Sequence, residues 1–315
     1  MNNESDFFWL KSYQSHSEYE KSTNADSLES WKLFDTVDAW RHKRMYDSIL
    51  PFLISYPSAS WLTVGDGRYG TDANYMIRNN IVNVLATSIS DELLKRSKED
   101  GFIYDYKVEN AEKLSFESNS FDFVFCKESY HHFPRPMIAF YEMLRVAKNA
   151  VVIIEPNDVN LHVVKEPKSF IKPKNKTLAL KNFIKDLLNI KRYEYNSYNP
   201  PAYEILGNYI YSVSEREFEK AALGLNLPLI SFKGINDRYE EGVEYEKANE
   251  NSTHFHKIKM GIREMDELCI NYGRPYNILV SVIFKTMPEE LLLKKLETAG
   301  FRVDKLSRNP YASNS

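Results

Sequence analysis

The sequence predicts an α/β fold with a doubly wound, mainly parallel sheet, and two observations predict it. A short apolar run, 61–64, leads into Gly65, Gly67 and Gly70, which have the spacing G-x-G-x-x-G, and a helix-compatible segment, 71–78, follows. Further apolar runs alternate with helical patterns, as expected when helices join parallel strands. Glycine allows a sharp turn and lets a ligand approach the backbone without a Cβ in the way. Because the opening amides of the next helix can face a polar or anionic group, the loop predicts a nucleotide-like cofactor.

The segments after this loop continue the alternation. The second strand ends at Ser88, where dinucleotide-binding folds place an acidic residue on the ribose. The segment between the fourth and fifth strands has the apolar periodicity of a helix. The predicted third, fourth and fifth strands and the helix between the last two cover 102–106, 120–128, 150–156 and 136–147.

Four motifs follow the glycine loop in a fixed order. Asn110-Ala111-Glu112 comes after the third strand, Phe-Asp-Phe-Val lies in the fourth, and His131-His132 lies just beyond it. The last is Glu142-Met143-Leu144-Arg145-Val146, in the helix before the fifth strand. Over about residues 58–158 this series resembles the class I S-adenosylmethionine-dependent methyltransferases, in their small-molecule, type 11-like branch.

The resemblance implies a Rossmann-like, mainly parallel sheet of seven strands and S-adenosylmethionine as cofactor. It implies that the glycine loop lines the methionine and ribose, that the segment after the third strand borders the adenine, and that the end of the fourth strand meets the cofactor carboxylate. The cofactor-binding residues predicted in this way are Gly65, Asp66, Gly67, Gly70, Ser88, Asn110, Ala111, Glu112 and Lys127.

The chain departs from the family pattern at two positions. Thr63 stands where an acidic residue usually holds the methionine amino group, and Ser88 stands where one usually holds the ribose diol. Asp66 and Asp72 are close enough in sequence to be considered as substitutes. An NAD(P)-binding oxidoreductase remains an alternative, in which Ser88 with Lys95 or Arg96 would meet a 2′-phosphate.

The candidate catalytic residues are His131, His132 and Glu128. A histidine is a suitable general base near neutral pH, and it would deprotonate a hydroxyl acceptor. We expect only one of the two histidines to face the pocket, because adjacent side chains in an extended segment point in opposite directions. Glu128 is expected to orient a histidine or a substrate hydroxyl. An alternative is a divalent metal held by a histidine, Glu128 and Asp158.

The function predicted from the resemblance is O-methylation of a small polar acceptor, such as a glycan sugar or a metabolite hydroxyl. The polar strand ends motivate this prediction, since Glu155, Asn157 and Asp158 follow the fifth strand and suit hydrogen bonds to hydroxyl groups. N-methylation and C-methylation stay open. The rival class is a methyltransferase-like protein that has lost catalysis and serves as a binding or scaffold subunit, motivated by Thr63 and Ser88.

Composition argues against several partner classes. The 315 residues carry a net charge of −3 with lysine and arginine spread through the chain, so no nucleic-acid-binding face is predicted. Cys126 lies in an apolar strand and is expected to be buried, and Cys269 is distant from it, so no metal or disulfide spacing exists. Without a signal sequence or a membrane-spanning apolar run, the chain is predicted to be cytoplasmic and not stably inserted in a membrane. The oligomeric state is left open.

The chain divides into four predicted regions: a helical cap at 1–55, the cofactor-binding core at 56–158, an insertion or lid at 159–213, and the completion of the core at 214–315. Residues 1–26 are expected to be loosely ordered, whereas 27–54 are helical, with a polar run at 41–44 that faces either solvent or an anionic substrate. Ser214 has the pattern of a capping box. Strands six and seven are predicted at 229–232 and 278–284, and the last helix at 287–299.

Overall fold

The computed structural model describes residues 4–21, 25–158 and 209–312, and in this part of the chain it has an eight-stranded sheet flanked by helices. The strands are β1 (Trp61–Val64), β2 (Val84–Ser88), β3 (Tyr106–Val108), β4 (Phe121–Lys127), β5 (Ala147–Pro156), β6 (Leu229–Ile235), β7 (Ile278–Phe284) and β8 (Arg302–Lys305).

The described helices begin with a group that precedes the sheet and continue between and after its strands. They are α1 (Glu4–Lys21), α2 (Ala25–Trp31), α3 (Val37–Tyr46), α4 (Leu50–Ser55), α5 (Thr71–Arg78), α6 (Glu92–Glu99), α7 (Pro136–Val146), α8 (Glu215–Gly224), α9 (Thr253–Tyr272) and α10 (Glu290–Thr298), with short 3₁₀ turns at Asp47–Ile49 and Tyr130–His132. None of them is long and apolar enough to cross a membrane.

The sheet has the order β3-β2-β1-β4-β5-β7-β6-β8. The first five strands pair in parallel, and β7, β6 and β8 are attached by antiparallel pairing. The chain moves outward from β1 through β2 to β3 and then returns to β4 on the other side of β1. In open α/β sheets, ligands bind beyond the carboxyl ends of the strands at such a switch point. The topology therefore places the candidate site beyond the ends of β1, β2 and β4.

Two apolar layers hold the sheet in place. On one face, Phe52 of α4 packs with Trp61, Phe123 and Phe284, and these side chains are at most 1% exposed. On the other face, the buried rings come from α7, α8 and the turn after β4. All residues of β7 are buried, as expected for a strand covered on both faces. The carboxyl ends of the central strands are thus carried by a rigid, fully packed scaffold.

Several predictions from the sequence need correction. The sheet has eight strands, because Arg302–Lys305 pairs with β6 although its alternating polar residues gave no apolar signal. The third strand is Tyr106–Val108 and lies later than 102–106. Residues 4–21, which were expected to be loosely ordered, form α1. The long helix α9 fills much of 236–275, for which no structure was predicted.

The later strands and the start of α8 lie close to their predicted positions. Strands six and seven appear at 229–235 and 278–284, and the Ser214 hydroxyl accepts a hydrogen bond from the Glu217 amide at the start of α8. Most of the predicted insertion, 159–208, lies outside the described residues. The end of that insertion returns to the sheet, where the Val213 amide donates to the carbonyl of Pro156 over 2.9 Å.

Candidate active site

The glycine loop turns tightly against the end of β4. Gly65 has φ +77°, and a Cβ placed on it would lie 2.5 Å from Cβ of Ser129, so no other residue fits there without displacing Ser129. The Ser129 hydroxyl donates to the Gly65 carbonyl over 2.7 Å. Gly70 also has a left-handed backbone, φ +72°, and immediately precedes α5. The loop is therefore packed tightly against the turn after β4, and a side chain at Gly65 would collide with Ser129.

Asp66 is directed into the protein. Its carboxylate accepts hydrogen bonds from the amides of Asp72 and Ala73 over 3.0 and 2.9 Å, and from the Thr63 hydroxyl over 2.9 Å. Burial, reinforced by the nearby charge of Asp72, raises the pKa of Asp66 well above its ordinary value. Asp72 is buried too, and it accepts from the Tyr46 hydroxyl over 2.7 Å. Both carboxyl groups thus serve the start of α5.

A second part of the predicted cofactor site lines a cleft at the ends of β1, β2 and β3. The cleft brings together four groups of residues that are distant in the sequence. They are Gly65; Ser88 and Ile89; Glu109, Asn110, Ala111 and Glu112; and Ser129, His132, Phe133 and Pro134, with Tyr13 and His16 of α1 closing it. Asp66, Gly67, Gly70 and Lys127 are not among the lining residues of this cleft.

Helix α1 covers the cleft through a polar cluster centred on Glu112. Glu112 accepts from the backbone amide of Arg135 over 2.7 Å, from the Arg135 Nε over 2.5 Å, and from the Tyr13 hydroxyl. Burial and the Glu112 carboxylate raise the pKa of Tyr13. The rings of His16 and His132 also meet, at 5.5 Å between centroids. The predicted adenine-bordering residue Glu112 is therefore also the anchor of α1.

A charged cluster occupies the neighbouring edge of the site, between α3, the glycine loop and the end of β4. We call it the Glu128 cluster; it consists of Glu128, Lys127, His42, Arg68 and Asp38. Lys127 contacts Glu128 and lies 2.8 Å from His42 Nδ1, and Arg68 lies 2.5 Å from His42 Nε2. Arg68 also pairs with Asp38.

Opposite charges within the Glu128 cluster determine its ionisation. Burial alone would raise the pKa of Glu128, but Lys127 and His42 hold it well below its ordinary value. The pKa of Asp38 is likewise lowered by His42 and Arg68 against the effect of its burial. The pKa values of these two carboxyl groups are therefore shifted in the opposite direction to that of Asp66.

His131 belongs to a different arrangement, at the end of β5. Its Nδ1 lies 2.5 Å from Oε2 of Glu155, whose side chain is fully buried. The other carboxylate oxygen, Oε1, accepts from the amides of Ser129 and Tyr130 over 2.7 and 2.8 Å. Because both oxygens of Glu155 are held, the orientation of the His131 ring is fixed from the protein side.

Two expectations about the polar residues at the strand ends, one on the two histidines and one on Glu155, are wrong. His131 and His132 do not point in opposite directions, because they lie in a 3₁₀ turn and their rings are 4.0 Å apart between centroids. Glu128 does lie beside a histidine, His42, with 3.2 Å between its Oε2 and His42 Nδ1. Glu155 is fully buried and therefore has no surface for an acceptor hydroxyl. The described residues contain no group of three or more histidine, cysteine or acidic side chains arranged to hold a metal ion.

Comparison with known proteins identifies the central part of the chain. Residues 62–154 match the family model described as a methyltransferase domain. This segment is a methyltransferase domain, and the match covers this segment and not the rest of the chain. No curated protein sequence matches the chain.

Solved structures with a related fold include magnesium protoporphyrin IX methyltransferase of Synechocystis with bound S-adenosylhomocysteine, with 12% identity over 79% of this chain and 85% of that one and a TM-score of 0.42. YcgJ of Bacillus subtilis has 14% identity over 77% and 99%, with a TM-score of 0.44. The [4+2]-cyclase SpnF has 14% identity over 76% and 81%, with a TM-score of 0.43.

The cleft of this methyltransferase also contains residues that the sequence did not reveal. Tyr13 and His16 come from a segment expected to be loosely ordered, and Ser129 gave no signal of its own. His42 and Arg68 lie outside this cleft and contact each other where α3 packs beside the glycine loop. The polar run 41–44 contained a hint of this, since Arg41 and His42 are largely buried in the structure whereas Lys43 is exposed.

Proposed function

We propose that this methyltransferase methylates a hydroxyl oxygen of a small polar acceptor, such as a glycan sugar or a metabolite, and that His131 is the general base. The observation that carries the proposal is the pair formed by His131 and Glu155, with 2.5 Å between Nδ1 and Oε2. A base that removes a hydroxyl proton must be held in one orientation and one tautomer, and a buried carboxylate beside a histidine provides both.

The tautomer follows from the hydrogen bonds of Glu155. Its Oε1 already accepts from two backbone amides, so its Oε2 is the acceptor for the His131 Nδ1 proton. In the neutral ring, Nε2 then carries the lone pair. This nitrogen is the atom that accepts the proton of the acceptor hydroxyl.

S-adenosylmethionine supplies an electrophilic methyl group when bound. The residues of this chain that are suited to hold it are those that line the cleft, namely Gly65 and the segments at Ser88 and 110–112. Helix α1 closes the same cleft and would exclude water from it. Removal of the hydroxyl proton by His131 makes the acceptor oxygen a better nucleophile, and the proton remains on Nε2 until it is lost to solvent.

His132 is suited to a different role from His131. It lines the cofactor cleft beside Gly65 and contacts His16 of α1. A side chain in that position affects donor binding and the closure of α1 more than deprotonation of the acceptor. We therefore assign His132 to the donor side of the site and His131 to the acceptor side.

The test combines transfer of an isotopically labelled methyl group with donor binding. The full chain is incubated with labelled S-adenosylmethionine and a panel of sugars, other alcohols, phenols and amines, and the labelled atom of the product is located by NMR. His131→Ala should lower turnover at saturating acceptor by about 10²–10⁴-fold, the usual contribution of a general base. The affinity for S-adenosylhomocysteine, measured by calorimetry, should change less than about twofold, because the ring lies outside the donor cleft.

His254→Ala is the matched control. His254 also pairs with a glutamate, Glu246, but it is 45% exposed and lies on α9, which contributes no residue to the lining of the cleft. Near-normal turnover of His131→Ala would overturn the assignment of the base. Label found only on nitrogen or carbon would overturn the acceptor class. Activity that disappears with EDTA and returns with Mg²⁺ while His131→Ala stays active would move the chemistry to a metal. Binding of NADP in place of S-adenosylhomocysteine would contradict the donor itself.

A further inference from the structure

A second cavity lies between the helices that precede the sheet and α5. We call it the α3–α5 cavity, because residues 38–46 of α3 and 71–78 of α5 form its long walls. Its volume is about 400 Å³, within the range of small-molecule sites, whereas the donor cleft has about 100 Å³. The described residues that line the one do not line the other, and neither His131 nor Glu155 belongs to the α3–α5 cavity. It is thus distinct from both the donor cleft and the proposed base.

The α3–α5 cavity is an elongated slot. Its lining residues on each helix recur at steps of three and four, which places them on one face of that helix. From Thr71 to Asn79 the wall that α5 provides is about 12 Å long, at a rise of 1.5 Å per residue. Residues that follow α2 close the slot from outside, where Leu33 and Phe34 are 42% and 51% exposed. A slot of this length accommodates a ligand of one or two fused rings.

Aromatic rings give the slot an apolar surface, and they come from Trp31, Phe34, Tyr46 and Tyr75. The rings of Tyr46 and Tyr75 stack with 4.8 Å between centroids and 16° between planes. Their hydroxyls are held as well, since they donate to Asp72 and Asp47 over 2.7 and 2.9 Å. Because both rings are fixed by stacking and by a hydrogen bond, they form a rigid wall that suits the flat face of an aromatic ligand.

The charges in the α3–α5 cavity do not balance. Arg68 pairs with Asp38, and Lys43 pairs with Asp47 over 2.6 Å. The third cation of the lining, Arg78, has no carboxylate within ion-pair distance among the residues that the structure describes. Apart from His42, the lining therefore carries three cations against two carboxylates. An excess of one positive charge is complementary to a ligand with a single negative charge.

The setting of Arg78 favours a carboxylate as that charge. Its guanidinium lies 3.6 Å from the centroid of the Phe34 ring, which stacks in turn on Phe102 with 5.9 Å between centroids. A guanidinium over a ring keeps its N–H donors at the edge of its plane, in a fork that matches the two oxygens of a carboxylate. A phosphate monoester would bring a charge between about −1.5 and −2, more than this single cation balances.

We infer that the α3–α5 cavity binds a small aromatic monocarboxylate: the rings of Trp31, Tyr46 and Tyr75 receive its flat apolar body, and Arg78 receives its carboxylate. This site is additional to the donor and acceptor sites, so it can be filled while the donor cleft is occupied. The inference does not depend on the acceptor or the base proposed above.

Calorimetric titration of the full chain with two probes of the same shape tests it. Naphthalene-2-carboxylate carries the negative charge, and naphthalene-2-carboxamide is neutral. The wild type should bind the acid with a dissociation constant of about 1 mM or lower and the amide about 10-fold or more weakly. Arg78→Gln should weaken binding of the acid by about 10- to 100-fold and leave that of the amide within about twofold. Ala39→Phe, which places a ring inside the slot, should weaken both by about 10-fold or more.

Arg96→Gln is the matched control for Arg78→Gln. Both arginines lie in the last turn of an eight-residue helix, but Arg96 belongs to α6 and does not line the cavity. It should leave both affinities unchanged, and so should saturating S-adenosylhomocysteine.

Four outcomes would overturn the inference: no binding of the acid to the wild type, equal affinities for acid and amide, full affinity of Arg78→Gln for the acid, or full affinity of Ala39→Phe for both probes. Displacement of the acid by S-adenosylhomocysteine, or methyl transfer to its carboxylate, would also overturn it, because the probe would then occupy the donor or the acceptor site. Near-normal turnover of His131→Ala, in contrast, would affect only the proposed base and leave these titrations as expected.

Discussion

Two histidine–carboxylate pairs lie at this edge of the sheet, and they differ in almost every physical respect. Glu155, beside His131, is fully buried, and its two oxygens are used by two backbone amides and one imidazole. Glu128, beside His42, is 28% exposed and lies among the charges of Lys127, Arg68 and Asp38. The same pair of residue types therefore orients a ring in one place and belongs to a network of ion pairs in the other.

The role of such a pair depends on which other groups donate hydrogen bonds to the carboxylate or form ion pairs with it. Backbone amides fix Glu155 without adding charge, so the imidazole remains the group that exchanges a proton. Lys127 instead forms an ion pair with Glu128. Ser129 connects the two pairs, since it follows Glu128 and its amide donates to Glu155. The predictions below separate the two roles.

The largest effect is expected from Glu155→Gln. The amide nitrogen would face His131 Nδ1, forcing the proton to Nε2 and removing the base, so turnover should fall by about 10²–10⁴-fold. The double variant with His131→Ala should be no slower than His131→Ala alone, because the pair acts as a unit. Steady-state kinetics checks this. Additive losses in the double variant would show that the two residues act independently.

Asp38→Asn tests the ion pairs that support the Glu128 cluster. Asp38 is held by Arg41, over 2.8 Å, and by Arg68, and breaking a buried ion pair should cost about 3–5 kcal/mol of unfolding free energy at pH 7. The pKa of Asp38 is lower in the folded state than its ordinary value of 3.8. The ionised carboxylate therefore stabilises the fold fully at pH values above 3.8, and this stabilisation is lost as the pH falls through the pKa of the folded state. Denaturant titrations should therefore show the gap between wild type and variant narrowing in acid.

The control for that experiment is Asp35→Asn. Asp35 pairs with Lys247, but both side chains are at least 60% exposed. Its replacement should change the unfolding free energy by less than about 1 kcal/mol, as for surface ion pairs. A gap between wild type and Asp38→Asn that widened in acid would contradict the direction of the pKa shift.

Gly65→Ala tests the close contact between the glycine loop and Ser129. The left-handed backbone should cost about 1–2 kcal/mol, and the contact with Ser129 should add about 1–3 kcal/mol of overpacking. Gly101→Ala is an unusually close control, with φ +70° and nothing within 4 Å of a new Cβ. Denaturant unfolding should show only the backbone cost there. We expect Gly65→Ala, but not Gly101→Ala, to lower both donor affinity and turnover. If the two variants lowered the free energy of unfolding equally, the contact between Gly65 and Ser129 would not be tight.

Tyr13→Phe should have the smallest effect. It removes the hydroxyl that donates to Glu112, a loss of about 1.5 kcal/mol for a hydrogen bond to a charged group. Amide hydrogen exchange in α1 should become about tenfold faster, since opening of the helix becomes easier. Tyr104→Phe, at a residue that is 53% exposed, serves as the control and should leave α1 unchanged. Unaltered exchange in Tyr13→Phe would show that other contacts hold the helix.

Local signals in the sequence predicted the central part of the fold well. Gly65 and Gly70 are required by their backbone angles, and Ser214 caps a helix, so a short-range rule connects each of these residues to its structure. Strand β8 and helix α1 were missed because they lack a strong apolar pattern and depend on contacts made after folding.

The candidate site was predictable only in part for the same reason. The glycine loop and the segment 110–112 follow from motifs, and the structure brings Gly65 and Asn110 to one cleft. The partners of the carboxylates do not follow from motifs, because His42 and Glu128 meet only when α3 packs across the end of β4. The sequence did not indicate which carboxylate would hold His131, and packing gives that position to Glu155.

The position of β7 in the sheet has a consequence for synthesis on the ribosome. Strand β5 ends at Pro156, but β7, the strand that pairs with its outer edge, begins only at Ile278. Until the ribosome has released that later stretch, a nascent chain would expose an apolar strand with unpaired backbone groups, which is a template for aggregation. Premature termination between these strands should therefore yield products that depend on chaperones, even though the whole family-matched segment has been made.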